Sequence, residues 1–254
     1  MMKLNPRVLF SFLVVVISCR SIEHPKCSNQ VITVIAHPDD ETLICGTLAK
    51  LVARGCDVTM VYITSGDDGP DKTGQHLYGN ALAAMREKEV QKSLDLIGII
   101  NPPRFLKFPD SHVAEYTREI KDTLVKIFQR LEPEIVITFG PDGVTDDPDH
   151  ITTGYITGQV FDSTETCDLL LHLAVSKRAS AIYPIPAPVD DSRINLRVDV
   201  SDYRRIRCRS NSAHRTQFTF GQRMFWRMFV RRYPYEEFVI AGKRNEEGIL
   251  ENCF

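Results

Sequence analysis

Residues 31–51 read VITVIAHPDDETLICGTLAKL, and this stretch decides the fold. VITVIA at 31–36 is a short β-branched apolar run with no polar alternation, the signature of a strand buried on both faces. Thr42 to Arg54 then carries apolar residues at helical spacing, with Leu43, Leu48, Leu51 and Val52 directed inward and Gly55 as the closing cap. Between strand and helix stand His37, Asp39, Asp40 and Glu41. Carboxylates crowded this closely repel one another, so they call for a cation or for catalytic work.

Outward from this stretch the pattern repeats. DVTMVYITSG at 57–66 predicts a second strand, Ala81 to Ile97 an amphipathic helix, and Arg104 to Phe108 a short third strand. Thr117 to Leu131 predicts a helix stopped by Pro133, and EIVITFG at 134–140 a fourth buried strand. The loop GPDGVTDDPDH follows, and His150 to Phe161 reads as a helix. ASAIYPIP at 179–186 reads as a further strand cut off by Pro184 and Pro186, and Gln217 to Arg232 as a basic, aromatic helix. Alternation of this kind predicts βαβ units and a mainly parallel α/β sheet, whose ligands bind outside the carboxyl ends of the strands. Both acid-rich loops, 37–41 and 141–150, leave such ends.

The 254 residues suffice for a sizeable core, and no linker interrupts residues 30–254, which read as a single domain. Thirty-one basic residues nearly balance 33 acidic ones, which argues against a nucleic-acid partner. At the N-terminus, Lys3 and Arg7 precede an apolar run from Val8 to Ile17 that is short for a bilayer span; residues 1–19 read as a signal peptide, with 20–29 a short tether. Val16-Ile17-Ser18-Cys19 resembles a bacterial lipobox, predicting lipidation of Cys19 and an exported, membrane-anchored protein; an ordinary cleaved signal or an uncleaved anchor is the alternative. The seven cysteines form no CxxC pair, so no thiolate zinc site is expected, and any pairing between them is not readable from spacing.

His37, Asp40 and His150 supply two imidazoles and one carboxylate from two strand ends. Such a set can hold one face of a metal and leave the other for water and substrate, and Asp39 beside it can take a proton from attacking water. Zinc suits the donors, and ferrous iron is the alternative. Each part also has a structural reading: aspartates ahead of a helix commonly cap it, and Asp67 and Asp68 fit a turn with Gly66 and Gly69 as well as contact with substrate hydroxyls. Phe225, Trp226 and Phe229 read as aromatic core at helical spacing in preference to a sugar platform.

These motifs carry a family resemblance. Ala36-His37-Pro38-Asp39-Asp40-Glu41 resembles the signature of the LmbE-like, PIG-L-type zinc-dependent de-N-acetylases, and Pro148-Asp149-His150 resembles the core of their second motif. Ser65-Gly66-Asp67, Arg86 in AAMREKEV and Ala213-His214-Arg215-Thr216-Gln217 extend the similarity over most of residues 30–240. The resemblance implies a Rossmann-like three-layer fold and a hydrolase that removes acyl groups from N-acylated sugars, typically N-acetylglucosamine derivatives. It implies His37, Asp40 and His150 as metal ligands, Asp39 as general base, and Arg86 as a substrate-positioning group, for which a helix-surface salt bridge is the alternative. Asp67 is a further candidate for substrate contact, and His214 for packing at the site wall. One position departs from the pattern: Asp147 stands where many relatives carry a histidine that stabilises the oxyanion, and an ionised aspartate there would repel developing negative charge. Asp149 matches the acid that orients that histidine and is a catalytic candidate whose role is open with that partner absent, and Asp147 joins Asp67 and Arg86 as a candidate for substrate contact. A non-sugar or thiol-sugar amide substrate, or a catalytically weak carbohydrate-binding protein, remains the alternative.

Overall fold

A computed structural model describes residues 29–244 and 248–254. The signal-peptide, Cys19 and tether readings therefore lie outside the described residues, apart from Asn29 at the tether's end. The strands are β1 (Gln30–Ile35), β2 (Asp57–Tyr62), β3 (Arg104–Phe105), β4 (Ile135–Phe139), β5 (Leu169–Ala174), β6 (Leu196–Asp199) and β7 (Tyr235–Lys243). They form one sheet in the order β3-β2-β1-β4-β5-β7-β6. The first five are parallel; β7 runs antiparallel to both β5 and β6.

Helices cover both faces. Along β1, Val31 and Ile35 pack with Leu48 and Leu51 of α1 (Cys45–Ala53) and Val90 and Leu94 of α2 (Gly79–Ile97). Ile32 and Val34 pack on the opposite side with Ile120, Leu124 and Phe128 of α3 (Thr117–Leu131) and Ile156 and Val160 of α4 (Pro148–Ser163). The three layers follow from burial of both faces of a parallel sheet. The chain builds outward from β1 to β2 and β3, then returns to place β4 on the other side of β1, so the strand order reverses between β1 and β4. A crevice opens at the carboxyl ends flanking such a reversal, and the two acid-rich loops leave these two strands.

Three expectations are corrected. Residues 179–186 form no strand: the short α5 (Lys177–Ser180), capped by Ser176, runs into an irregular segment, and the strand lies earlier, at β5. The third strand is two residues long. The helix after the first motif starts at Cys45, because Asp40–Leu43 forms a separate 3-10 turn. The N-terminus of α1 is satisfied from far away: Glu236 of β7 accepts from Gly46 N (3.0 Å) and Thr47 N (2.6 Å), and is paired with buried Arg207. Arg207 belongs to α6 (Arg204–Ala213), which is followed by α7 (Phe220–Arg232) and, after β7, by α8 (Ile249–Cys253). Trp226, Phe229 and Tyr233 form a separate apolar cluster, so Trp226 and Phe229 are core as expected, whereas Phe225 is 42% exposed and is not. Cys45, Cys167 and Cys208 are free thiols. Among the described residues no helix is long and apolar enough to cross a membrane.

Candidate metal centre and catalytic cavity

The turn after β1 is strained and tied down. Asp39 adopts φ 110°, unusual for a residue with a Cβ, and this turns its carboxylate toward the crevice. His37 N donates to Asp40 Oδ2 (2.7 Å), and Asp39 N donates to Glu41 Oε2 (3.1 Å). Glu41, fully buried, also accepts from the Tyr62 hydroxyl (3.2 Å) and lies 2.5 Å from His214 Nε2. Burial works to raise the Glu41 carboxyl, but His214 overcomes it and the net direction is down; burial lowers His214 and Glu41 overcomes that, raising it. Both directions describe an ion pair. The expectation of His214 as a packing residue is thus replaced by a charge-bearing brace behind the first motif.

The loop after β4 is built locally. Gly143, Val144 and Asp146 all have positive φ, and Asp142 Oδ1 accepts from Val144 N (3.0 Å). Asp147 caps α4 by accepting from Asp149 N at 2.8 Å, with Pro148 in the first turn. Gly154 lets this helix press on β4, since a Cβ there would meet Phe139 O at 2.4 Å. His150, one turn earlier, stacks on the Phe139 ring with centroids 4.1 Å apart.

The two loops bring the predicted metal ligands together. His37 Nδ1 lies 3.1 Å from His150 Nε2, His150 Nε2 lies 3.2 Å from Asp40 Oδ1, and His37 Nδ1 lies 3.8 Å from Asp40 Oδ2. The far nitrogens fix the tautomers. His150 Nδ1 lies 3.0 Å from the Gly143 carbonyl, which can only accept, so Nδ1 carries the proton. His37 Nε2 lies 3.0 Å from Asp110 Oδ1 and 3.4 Å from Asp149 Oδ2 and donates to those carboxylates. With protons on the far nitrogens, the facing nitrogens present two lone pairs beside a carboxylate, an arrangement that a shared cation would satisfy. Zinc bonds of roughly 2.0–2.1 Å in tetrahedral geometry span donor edges of about 3.3 Å, close to the 3.1 and 3.2 Å spacings and shorter than the 3.8 Å one. The donor set therefore fits a divalent ion, and carboxylates behind the imidazoles are the usual means of fixing metal-ligating histidines. Burial would raise the Asp40 carboxyl, yet His150 and His37 hold it down at about 2.

Asp149 acquires a position its motif did not disclose. Its Oδ2 accepts from Ser111 N (2.8 Å) and its Oδ1 from Val113 N (3.2 Å), so it braces His37 from behind, and the absent histidine is not needed to hold it. Asp110, missed in the sequence, shares that task and also accepts from Asp68 N (3.1 Å). It sits in Pro109-Asp110, five residues beyond the end of the two-residue β3, where no strand pattern in the sequence announces it.

Arg86 is buried, so the helix-surface alternative is set aside. Its Nη2 donates to Pro38 O (2.8 Å) and Asp39 Oδ1 (3.2 Å), and its Nη1 to Gly66 O (2.9 Å). Gly66, at φ 70°, admits the guanidinium: a Cβ there would sit 2.1 Å from Nη1. Burial pushes the Asp39 carboxyl up to about 6, with Arg86 pulling it down and Asp40 pushing it up.

The site opens into a cavity of about 540 Å³ lined by Asp39, Asp147, Tyr183, Ile185, Gln217 and Phe218 among others. Asp68 lines it too, whereas Asp67 lines a separate depression with Ser65 and Asn80, its carbonyl held by Gly79 N at the start of α2. Asp67 is thus not brought to the cavity. Asp147 is on the cavity wall, with one oxygen committed to the helix cap.

Comparison with known proteins accords with this geometry. Residues 32–161 match the family model PIG-L, described as GlcNAc-PI de-N-acetylase. A 1D-myo-inositol 2-acetamido-2-deoxy-alpha-D-glucopyranoside deacetylase from Saccharomonospora viridis is 28% identical over 261 residues, covering 86% of this chain and 97% of that protein. A diacetylchitobiose deacetylase from Thermococcus kodakarensis is 27% identical over 232 residues, covering 87% of this chain and 82% of the relative. The solved structure of the N,N'-diacetylchitobiose deacetylase from Pyrococcus horikoshii matches with a TM-score of 0.67 at 24% identity, covering 85% of this chain and 84% of that one, a likeness of fold.

Proposed function

Because the chain belongs to the PIG-L family of GlcNAc-PI de-N-acetylases, we propose that it is a metal-dependent hydrolase that removes the acetyl group from an N-acetylated amino sugar or its conjugate. The observation that carries this reading is the convergence of His37 Nδ1, His150 Nε2 and the Asp40 carboxylate beside Asp39 at the cavity wall. A divalent ion held by His37, Asp40 and His150 would polarise the amide carbonyl and acidify water. Asp39 takes the proton of the attacking water as the C–O bond forms and returns it to nitrogen as the C–N bond breaks, giving acetate and a free amine. Arg86 holds Asp39 in line for that transfer, and Asp110 and Asp149 keep the His37 proton on Nε2 so that Nδ1 keeps its lone pair free for the ion. Relatives whose names specify deacetylation of N-acetylated sugars support the choice of bond.

The reading is tested by acetate release from a panel of N-acetylglucosamine conjugates and simple N-acetyl amides. Turnover confined to the sugars supports it; turnover confined to simple amides overturns the sugar assignment. Export with lipidation of Cys19 forms part of the same proposal, resting on Lys3, Arg7 and the apolar run Val8–Ile17. Fatty-acid labelling that persists in Cys19→Ser would contradict it.

A further inference from the structure

Between Arg204 and Arg232 the chain contains nine arginines and no acidic residue. The whole chain has a net charge of −2, so the remainder carries −11, and the near balance of the composition conceals a strongly segregated charge. α6 and α7 carry eight of the nine, and Arg207 alone is withdrawn into the core by its pairing with Glu236.

α7 carries apolar side chains on two sides, where an ordinary surface helix carries them on one. Trp226, Phe229 and Val230 face inward and are buried. On the outward side, Phe220, Met224 and Met228 recur every four residues and form one stripe, exposed by 71%, 42% and 44%. At 100° per residue, Arg227 and Arg231 fall along one flank of that stripe and Arg232 on the other. A water-facing stripe of large apolar side chains costs solubility and offers the fold nothing, so it marks a contact surface. Bracketed by arginines on a helix without acids, it has the composition of a helix that lies in the interfacial plane of an anionic membrane.

We infer that the outward face of α7 docks on an anionic phospholipid bilayer, with Phe220, Met224 and Met228 entering the interface and Arg227, Arg231 and Arg232 meeting lipid phosphates. Charge complementarity selects this occupant, and the apolar stripe distinguishes it from nucleic acid, whose phosphates would be met by the arginines alone. The face adjoins the catalytic cavity: Phe218, two residues before α7, lines the cavity wall, and Tyr183 on that wall stacks on Phe225 of α7 at 5.3 Å. Docking therefore holds the cavity rim beside the bilayer.

The test is flotation of the full-length chain with vesicles of phosphatidylcholine alone or containing phosphatidylglycerol. It compares the wild type with the triple variant F220Q/M224Q/M228Q and the double variant R227Q/R231Q, in which glutamine preserves helix propensity. The N-terminal apolar run is present in every protein and cancels in the comparison. Expected is preferential binding of the wild type to anionic vesicles, weakened by salt, with partitioning reduced about tenfold or more in each variant while the thermal midpoint is unchanged. Equal partitioning of wild type and both variants would overturn the inference. So would a dimer in the absence of vesicles that the triple variant dissolves, or binding to duplex DNA that the triple variant retains in full and that displaces the vesicles.

Discussion

The two loops that meet at the candidate metal centre are held in opposite ways. The turn at residues 37–41 is fixed by distant parts of the chain: Arg86 of α2 grips Pro38 and Asp39, Tyr62 of β2 and His214 beyond α6 grip Glu41. The loop at 140–147 is fixed mostly by its own neighbours, through Gly143 N to Gly140 O, Val144 N to Asp142 and the Asp147 cap on Asp149 N, and only Asp149 after it is gripped from afar, by Ser111 N and Val113 N. The first carries the strained Asp39, and strain persists only where surroundings over-determine it. The second orients a histidine already seated on Phe139 and needs only turn chemistry. Position of Asp39 is therefore a tertiary property, and position of His150 a mostly local one.

The comparison breaks most readily at Asp39. Asp39→Asn keeps the shape, removes the proton acceptor, and is expected to lower kcat by about 10²–10⁴-fold with metal content unchanged, measured by acetate release alongside elemental analysis. Full activity in the metal-loaded variant would remove Asp39 from the reaction. His214→Ala is expected next, leaving Glu41 buried without its cation and costing about 3–5 kcal/mol in urea unfolding. A cost below about 1 kcal/mol would show that the first turn is not held from a distance.

Arg86→Lys sharpens the same point with less damage. One ammonium cannot span two carbonyls and a carboxylate as the guanidinium does, and a loss of up to about 10²-fold in kcat is expected with KM changing less. Asp147→Ala tests the local loop. Loss of the cap is expected to cost about 1 kcal/mol in thermal unfolding, and Asp147→Asn, which can still cap, a few tenths at most. A larger loss of kcat than of stability in both would mean that Asp147 acts on the substrate.

Much of the candidate metal centre was legible because each motif sits at the end of a strand whose apolar run is unmistakable, and the spacing of His37, Asp40 and His150 is set by two short segments. The support around it was not. Glu41 and His214 are 173 positions apart, and no local pattern links them. Asp110 follows a strand of two residues, too short to advertise its end. β5 is masked in the sequence because LLLHLA lies close to AIYPIP, which is as β-rich in composition although its prolines cannot supply ladder N–H groups. Asp67 and Asp68 were indistinguishable in sequence, and only the backbone path after Gly66 sends the second of them to the cavity.

The most direct test of the central claim is metal content after exhaustive dialysis, comparing the wild-type chain with His150→Ala. About one divalent ion per chain is expected in the wild type, falling to a small fraction in the variant, since a catalytic site of this kind has only three protein ligands to lose. Equal metal content in the two proteins, or none in a wild type that still releases acetate, would contradict it.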